Sequence, residues 1–127
     1  MELARAVESL QAAELCLREG LVNSAASRAY YAMFQAAQVA LEAGGLVRSE
    51  WSHRGVQASF NQELIQRRKL YPRAFRDYLI AALTVRQAAD YGESGISAKV
   101  ARRQVQRATT FVRKVGEVIS GGNPSQR

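Results

Sequence analysis

The placement of helix breakers constrains this chain more than any other feature. Proline occurs only at positions 72 and 124, and glycine gathers at Gly20, Gly44–Gly45, Gly92 with Gly95, and Gly121–Gly122. The stretches between are long and poor in breakers, which favours helices over short strands. Five helical segments follow. The first spans 2–19, with Leu3, Val7, Leu10 and Leu17 on one face and Gly20 as its stop. The second spans 22–43 and ends at Gly44–Gly45. The third runs from an N-cap at Ser52 to residue 69. The fourth covers 72–91, with Pro72 suited to a first helical turn. The fifth covers 97–119 and starts at a second N-cap candidate, Ser97. With short connections, this predicts an all-α fold, an antiparallel up-and-down four-helix bundle with a short additional helix. Residues 1–120 form one domain on this reading, and 121–127 a flexible tail.

Composition then removes several functional classes. The 127 residues are 47% hydrophobic and 23% charged, a globular balance. One cysteine, Cys16, leaves no disulfide framework or thiolate metal cluster, and one histidine, His53, leaves no multi-histidine zinc site. No metal and no cofactor is therefore expected. The uncharged run at 29–41 has 13 residues and includes Gln35 and Gln38, whereas a membrane span needs about 20 apolar residues. The N-terminus lacks the basic-then-apolar layout of a signal peptide. A cytoplasmic, reduced protein is the expectation. Lys and Arg number 18 against 11 Asp and Glu, for a net charge of +7. That excess suits a nucleotide or nucleic-acid partner without requiring one.

Three helices break their own apolar pattern. In segment two, small and apolar residues wrap most of the circumference, which predicts a central, buried helix. One polar strip of Ser24, Arg28, Tyr31, Gln35 and Gln38 falls within about 80° of the wheel. An Arg on a buried helix needs a carboxylate, a phosphate or water, because an unpaired buried charge costs several kcal/mol. In segment four, Arg86 and Asp90 lie in the arc of Phe75, Leu79 and Leu83 and are spaced i, i+4 for an ion pair. In segment one, Glu14 intrudes on the apolar face, and Cys16 lies roughly opposite it as a bystander. These groups either line a cleft or form an internal salt-bridge network of Arg28, Arg86, Asp90 and Glu14. Segment five places Lys99, Arg102, Arg103, Arg107, Arg113 and Lys114 within about 140°, opposite its apolar residues. That stripe is either a solvated face or a phosphate-binding surface; it has few interspersed acids. His53 opens segment three and serves as a capping or surface residue, or as a base.

Three blocks carry a family resemblance: Ser27-Arg28-Ala29-Tyr30-Tyr31-Ala32-Met33-Phe34-Gln35-Ala36-Ala37, Ser52-His53-Arg54-Gly55-Val56, and Val85-Arg86-Gln87-Ala88-Ala89-Asp90-Tyr91. In order and spacing the chain resembles HEPN domains, the higher eukaryotes and prokaryotes nucleotide-binding family. The resemblance implies a helical bundle that commonly dimerises. Many members are RNases with an Arg-x(4–6)-His motif, and others are described as nucleotide- or RNA-binding without cleavage. Small prokaryotic members are often encoded beside a minimal nucleotidyltransferase, as toxin–antitoxin-like pairs. Arg28 matches the motif arginine, but Gln35 stands where the histidine would be. A glutamine cannot exchange a proton near neutral pH, so general acid–base help worth about 10² to 10⁴ in rate is lost there.

The expectation is a non-catalytic nucleotide- or RNA-binding module with Arg28, Tyr31, Gln35, Arg86 and Asp90 at the ligand. The segment-five cations add non-specific affinity, a minimal nucleotidyltransferase is the partner, and the chain forms a homodimer. The alternatives are a metal-independent RNase toxin using Arg28 with His53, and a purely structural or interaction bundle.

Overall fold

A computed structural model describes residues 2–121 of the chain. It contains five helices, with no strand among the described residues. Helix α1, Leu3–Arg18, ends as the glycine foretells. Gly20 adopts φ +77°, Gly20 N–H donates to the Leu17 carbonyl at 3.1 Å and Leu21 N–H to that of Cys16 at 2.8 Å. This Schellman closure satisfies the last carbonyls and turns the chain directly into α2, Val22–Ala43.

Helix α3, His53–Ser59, starts where Ser52 Oγ accepts from Gly55 N–H at 2.9 Å. It does not continue as an α-helix to residue 69. Phe60–Arg67 are π-helical, closed by Arg68 N–H to the Glu63 carbonyl at 3.0 Å, an i→i−5 bond. Helix α4, Ala74–Tyr91, begins two residues later than the proline suggests. Pro72 and Arg73 instead supply carbonyls for a tight entry turn, to Phe75 N–H at 3.0 Å and Arg76 N–H at 3.2 Å. Helix α5, Ala98–Gly121, is capped by Ser97 Oγ, which accepts from Val100 N–H at 3.1 Å. Gly121 is therefore helical rather than part of a tail, and 122–127 lie outside the described residues.

Helices α1, α2, α4 and α5 build the four-helix bundle, and α3 with its π continuation is the additional helix. Helix α2 is the hub and packs on α1, α4 and α5. Its alanines at 25, 26, 29, 32, 36 and 37 are buried and admit close helix approach. Helix α1 corrects one expectation. Its buried line is Ala6, Ser9 and Ala13, while Leu3, Leu10 and Leu17 are only partly buried and Val7 is exposed. Against an alanine-rich hub, short side chains occupy the contact line and the leucines flank it. At the other end of the core, Phe75 and Phe111 stack at 4.5 Å between ring centroids, and Phe60 meets Phe111 at 5.3 Å. Burying each such ring contributes roughly 1.5–3 kcal/mol. No helix among the described residues is long and apolar enough to cross a membrane.

Candidate functional site

Helix α2 carries Ser27, Tyr30, Tyr31 and Phe34, at offsets that place them along adjacent faces. The second half of α4 brings Arg86 and Asp90 to this surface, and the start of α3 brings His53. Arg86 is the centre of the arrangement. Its Nε donates to Asp90 Oδ2 at 3.1 Å and its Nη2 to Tyr31 Oη at 3.0 Å. Its guanidinium carbon lies 5.2 Å from the Tyr31 ring centre and 5.6 Å from that of Tyr30, within cation–π range. Ser27 Oγ adds a donor to Asp90 Oδ2 at 3.3 Å. The side chains of Arg86 and Asp90 are only 16% and 27% exposed, so this pair is screened far less than a surface one. Arg86 Nη1 has no partner among the described residues. The result is a cation fixed in place, with donors left over.

Tyr30 and His53 form the second half. Tyr30 is buried, and its hydroxyl is hydrogen bonded to His53 Nδ1. Burial pushes the Tyr30 phenol well above its ordinary range, the nearby Arg86 charge opposing this in part. The phenol therefore keeps its proton and can donate it to Nδ1, which leaves the N–H of a neutral ring on Nε2. The imidazole packs on Phe34 at 4.9 Å and on Tyr30 at 5.5 Å between ring centres. Gly55 explains how His53 is presented. A Cβ there would lie 2.9 Å from the Ser52 capping hydroxyl, so a larger residue would make that hydroxyl shift. Arg48 lies over that Trp51 ring at 4.4 Å and covers the approach to α3.

The structure sorts the expected site residues unequally. Tyr31, Arg86 and Asp90 come together, and His53 joins them through Tyr30. Arg28 is not on a buried face: it is exposed and engages no side chain among the described residues. The wheel placed it on a largely buried helix, but the first turns of α2 have an open side there. Gln35 turns away toward α1. With its amide nitrogen facing that helix it donates to Ser9 Oγ at 2.7 Å and to the carbonyls of Arg5 at 3.1 Å and Tyr31 at 3.3 Å. Its amide nitrogen ties α2 to α1.

Glu14 forms no ion pair among the described residues, so the four-residue salt-bridge network reduces to Arg86–Asp90. Cys16 is a free thiol partly buried against the core. Tyr30, Phe34 and Ser27 were missed because on α2 they pass for core and small residues. The signal available was the i, i+4 pair of aromatic rings beginning at a residue with a polar end. Among the described residues no group of three or more His, Cys, Asp or Glu side chains could hold a metal ion.

The cations of α5 are arranged differently. Lys99, Arg102, Arg103 and Arg113 are exposed, and Arg107 and Lys114 half-buried. None of the six forms an ion pair among the described residues. Arg107 lies over the Tyr78 ring of α4 at 4.8 Å. Long exposed side chains of one sign make a screened, diffuse field, suited to a polyanion without fixing its position.

Comparison with known proteins adds a family context. Residues 2–120 match the HEPN domain family. A UPF0332 protein of Gloeobacter violaceus is 41% identical over 88 residues, covering 69% of this chain and 68% of that protein. A UPF0332 protein of Thermotoga maritima is 37% identical over 89 residues, covering 70% of this chain and 65% of that protein. Neither name states a ligand or a reaction.

Proposed function

The chain belongs to the HEPN domain family, and from that premise we propose that it is a nucleotide- or RNA-binding module whose anchoring residue is Arg86. The observation that carries this reading is the guanidinium held by Asp90 and Tyr31 with Nη1 still uncommitted. Such a preorganised fork suits a phosphate oxygen pair, since little rotamer freedom is left to lose on binding. Arg28, exposed one turn before Tyr31 on α2, supplies a second, mobile cation. The α5 stripe adds salt-sensitive, sequence-independent attraction. The biological partner on this reading is a minimal nucleotidyltransferase in a toxin–antitoxin-like pair. The chain acts as a cytoplasmic homodimer.

Titration with labelled oligoribonucleotide and with nucleoside triphosphates at low salt tests the ligand. Wild type should bind and Arg86→Gln should bind at least about tenfold more weakly, the loss of one charge-assisted hydrogen bond. Absence of binding by wild type sinks the reading. Co-elution with a co-expressed minimal nucleotidyltransferase tests the partner, and sedimentation of the purified protein tests the dimer.

A second reading is supported by the Tyr30–His53 hydrogen bond beside Arg86. A histidine oriented through Nδ1 has the arrangement of a general acid–base group, so a metal-independent RNase centred on His53 is the competitor. Arg28 makes no contact with His53, which removes the motif's usual pairing from this version. Incubation of wild type, His53→Ala and Arg28→Ala with total RNA decides it: cleavage by wild type alone favours the enzyme, and three inert proteins favour the binding module.

A further inference from the structure

A second concave surface lies between α3 with its π continuation and α4. Two adjoining cavities of about 280 and 210 Å³ share Asn61 and Arg76. Arg54 and Gln57 line one, Gln66 and Arg73 the other. The two walls run antiparallel: Arg54 shares a cavity with Ile80, and Gln66 shares the other with Arg73.

Helical phase explains why the polar residues line up. Residues 54, 57, 58 and 61 fall on one face at i, i+3, i+4 and i+7. In a continued α-helix residue 66 would lie about 140° around from residue 61. The wider π turn shortens that angle and brings Gln66 back beside Asn61. The irregular segment thus extends a polar wall that a regular helix would have ended, and π turns recur at functional sites.

The chemistry of the lining is one-sided. Arg54 and Arg73 have no ion-pair partner among the described residues, and Arg76 meets Asp77 only at a long 3.4 Å between exposed side chains. Three guanidinium groups face a single carboxylate. The amides of Gln57, Asn61 and Gln66 form no hydrogen bond among the described residues, so their donors and acceptors are open. No aromatic ring lines either cavity, so the groove lacks the ring platforms on which single-strand binders stack successive bases.

We propose that this groove binds the phosphodiester backbone of single-stranded RNA. Arg54, Arg73 and Arg76 take phosphate oxygens, and the three amides take phosphate and 2′-hydroxyl oxygens, with the bases facing outward. Arg54, at one end of the groove, directly follows His53 in the chain, whereas Arg86, six residues beyond Ile80, lies about 120° around α4 from it and belongs to the separate Arg86–His53 surface. The groove does not depend on the reading of that surface as a ligand site.

The test is a titration of full-length protein with a short labelled oligouridine and with oligothymidine of the same length, between about 50 and 200 mM salt. Each single-strand phosphate contact contributes about 0.7 to the slope of log K against log salt, so R54Q/R73Q/R76Q should lower that slope by about 2. The variant R5Q/R18Q/K69Q removes equal charge elsewhere and should stay near wild type. Thermal melts within a few degrees of wild type establish that both are folded.

Oligouridine should bind more tightly than oligothymidine in wild type, and this preference should vanish in Q57A/N61A/Q66A. A groove variant with the wild-type slope, a charge control with an equal loss, or no preference for RNA overturns the proposal. If R86Q loses binding while the groove variant does not, the groove fails and the Arg86 reading survives. The reverse result removes the Arg86 reading alone.

Discussion

Phe60, Phe75 and Phe111 form one aromatic cluster, and Tyr30, Tyr31 and Phe34 with His53 form another. The first joins the π segment, α4 and α5: Phe75 stacks on Phe111 and Phe60 tilts against it within the core. The second lies between α2 and the start of α3, and its rings carry hydroxyl and imidazole groups tied to polar partners. Both bury aromatic area, yet the second also ties a buried hydroxyl to a histidine and a second hydroxyl to a hydrogen-bonded guanidinium. The contrast separates what keeps the bundle folded from what can meet a ligand. Stability should follow the phenylalanines, and binding should follow the polar ends.

The largest effect should come from Phe111→Ala, which leaves a cavity between two rings and costs about 3–5 kcal/mol in denaturant unfolding. Any of the protein that stays folded should keep its oligonucleotide affinity; a specific loss of affinity would erase the distinction between the clusters. Asp90→Asn comes next. It leaves the largely covered Arg86 guanidinium without its carboxylate and should cost about 1–3 kcal/mol. A cost under about 0.5 kcal/mol would mean the pair is as well screened as the α5 cations.

Tyr71 packs on Phe60 at 5.0 Å and on Phe75 at 6.0 Å between ring centres, so alkaline titration probes both clusters at once. Burial raises the Tyr30 and Tyr71 phenols in the folded protein, so the unfolded chain releases these protons first. Their stabilisation is fully present below about pH 10 and is lost as pH rises, by about 1.4 kcal/mol per unit for each phenol. Tyr30→Phe and Tyr71→Phe should each remove one such increment from the slope, and only Tyr30→Phe should alter ligand binding. The smallest effect belongs to α5, where Arg103→Gln should change stability by less than about 0.5 kcal/mol while weakening salt-dependent RNA binding.

Local chemistry made much of this fold readable. Gly20, Ser52 and Ser97 mark ends that short-range hydrogen bonds enforce, and the structure places α-helix boundaries beside each of them. The Arg86–Asp90 pair was likewise legible because i, i+4 spacing fixes it within one helix. Contacts between helices were not. Gln35 reads as a cleft residue until α1 supplies Ser9, and Tyr30 reads as core until α3 supplies His53. Arg28 was misplaced for the opposite reason: the apolar girth of α2 does not reveal which of its turns the neighbouring helices leave open. The π segment has no marker in residue type, since its i→i−5 bonds reflect how Phe60, Leu64 and Ile65 are buried together.

That segment also makes the chain tolerant of a lost residue at one place. Removing a single residue between 61 and 66 would let the carbonyl ladder relax to ordinary α spacing. Gln66 would then stand four residues after Asn61, about 40° around, close to where the wider π turn already holds it, so the two polar halves stay in phase. A deletion of the same size in the loop before Trp51 changes only slack. Among variants differing by one residue in length, those cut in the π segment should keep the alignment of its two polar halves, and those cut within His53–Ser59 should turn the rest by about 100° and lose it.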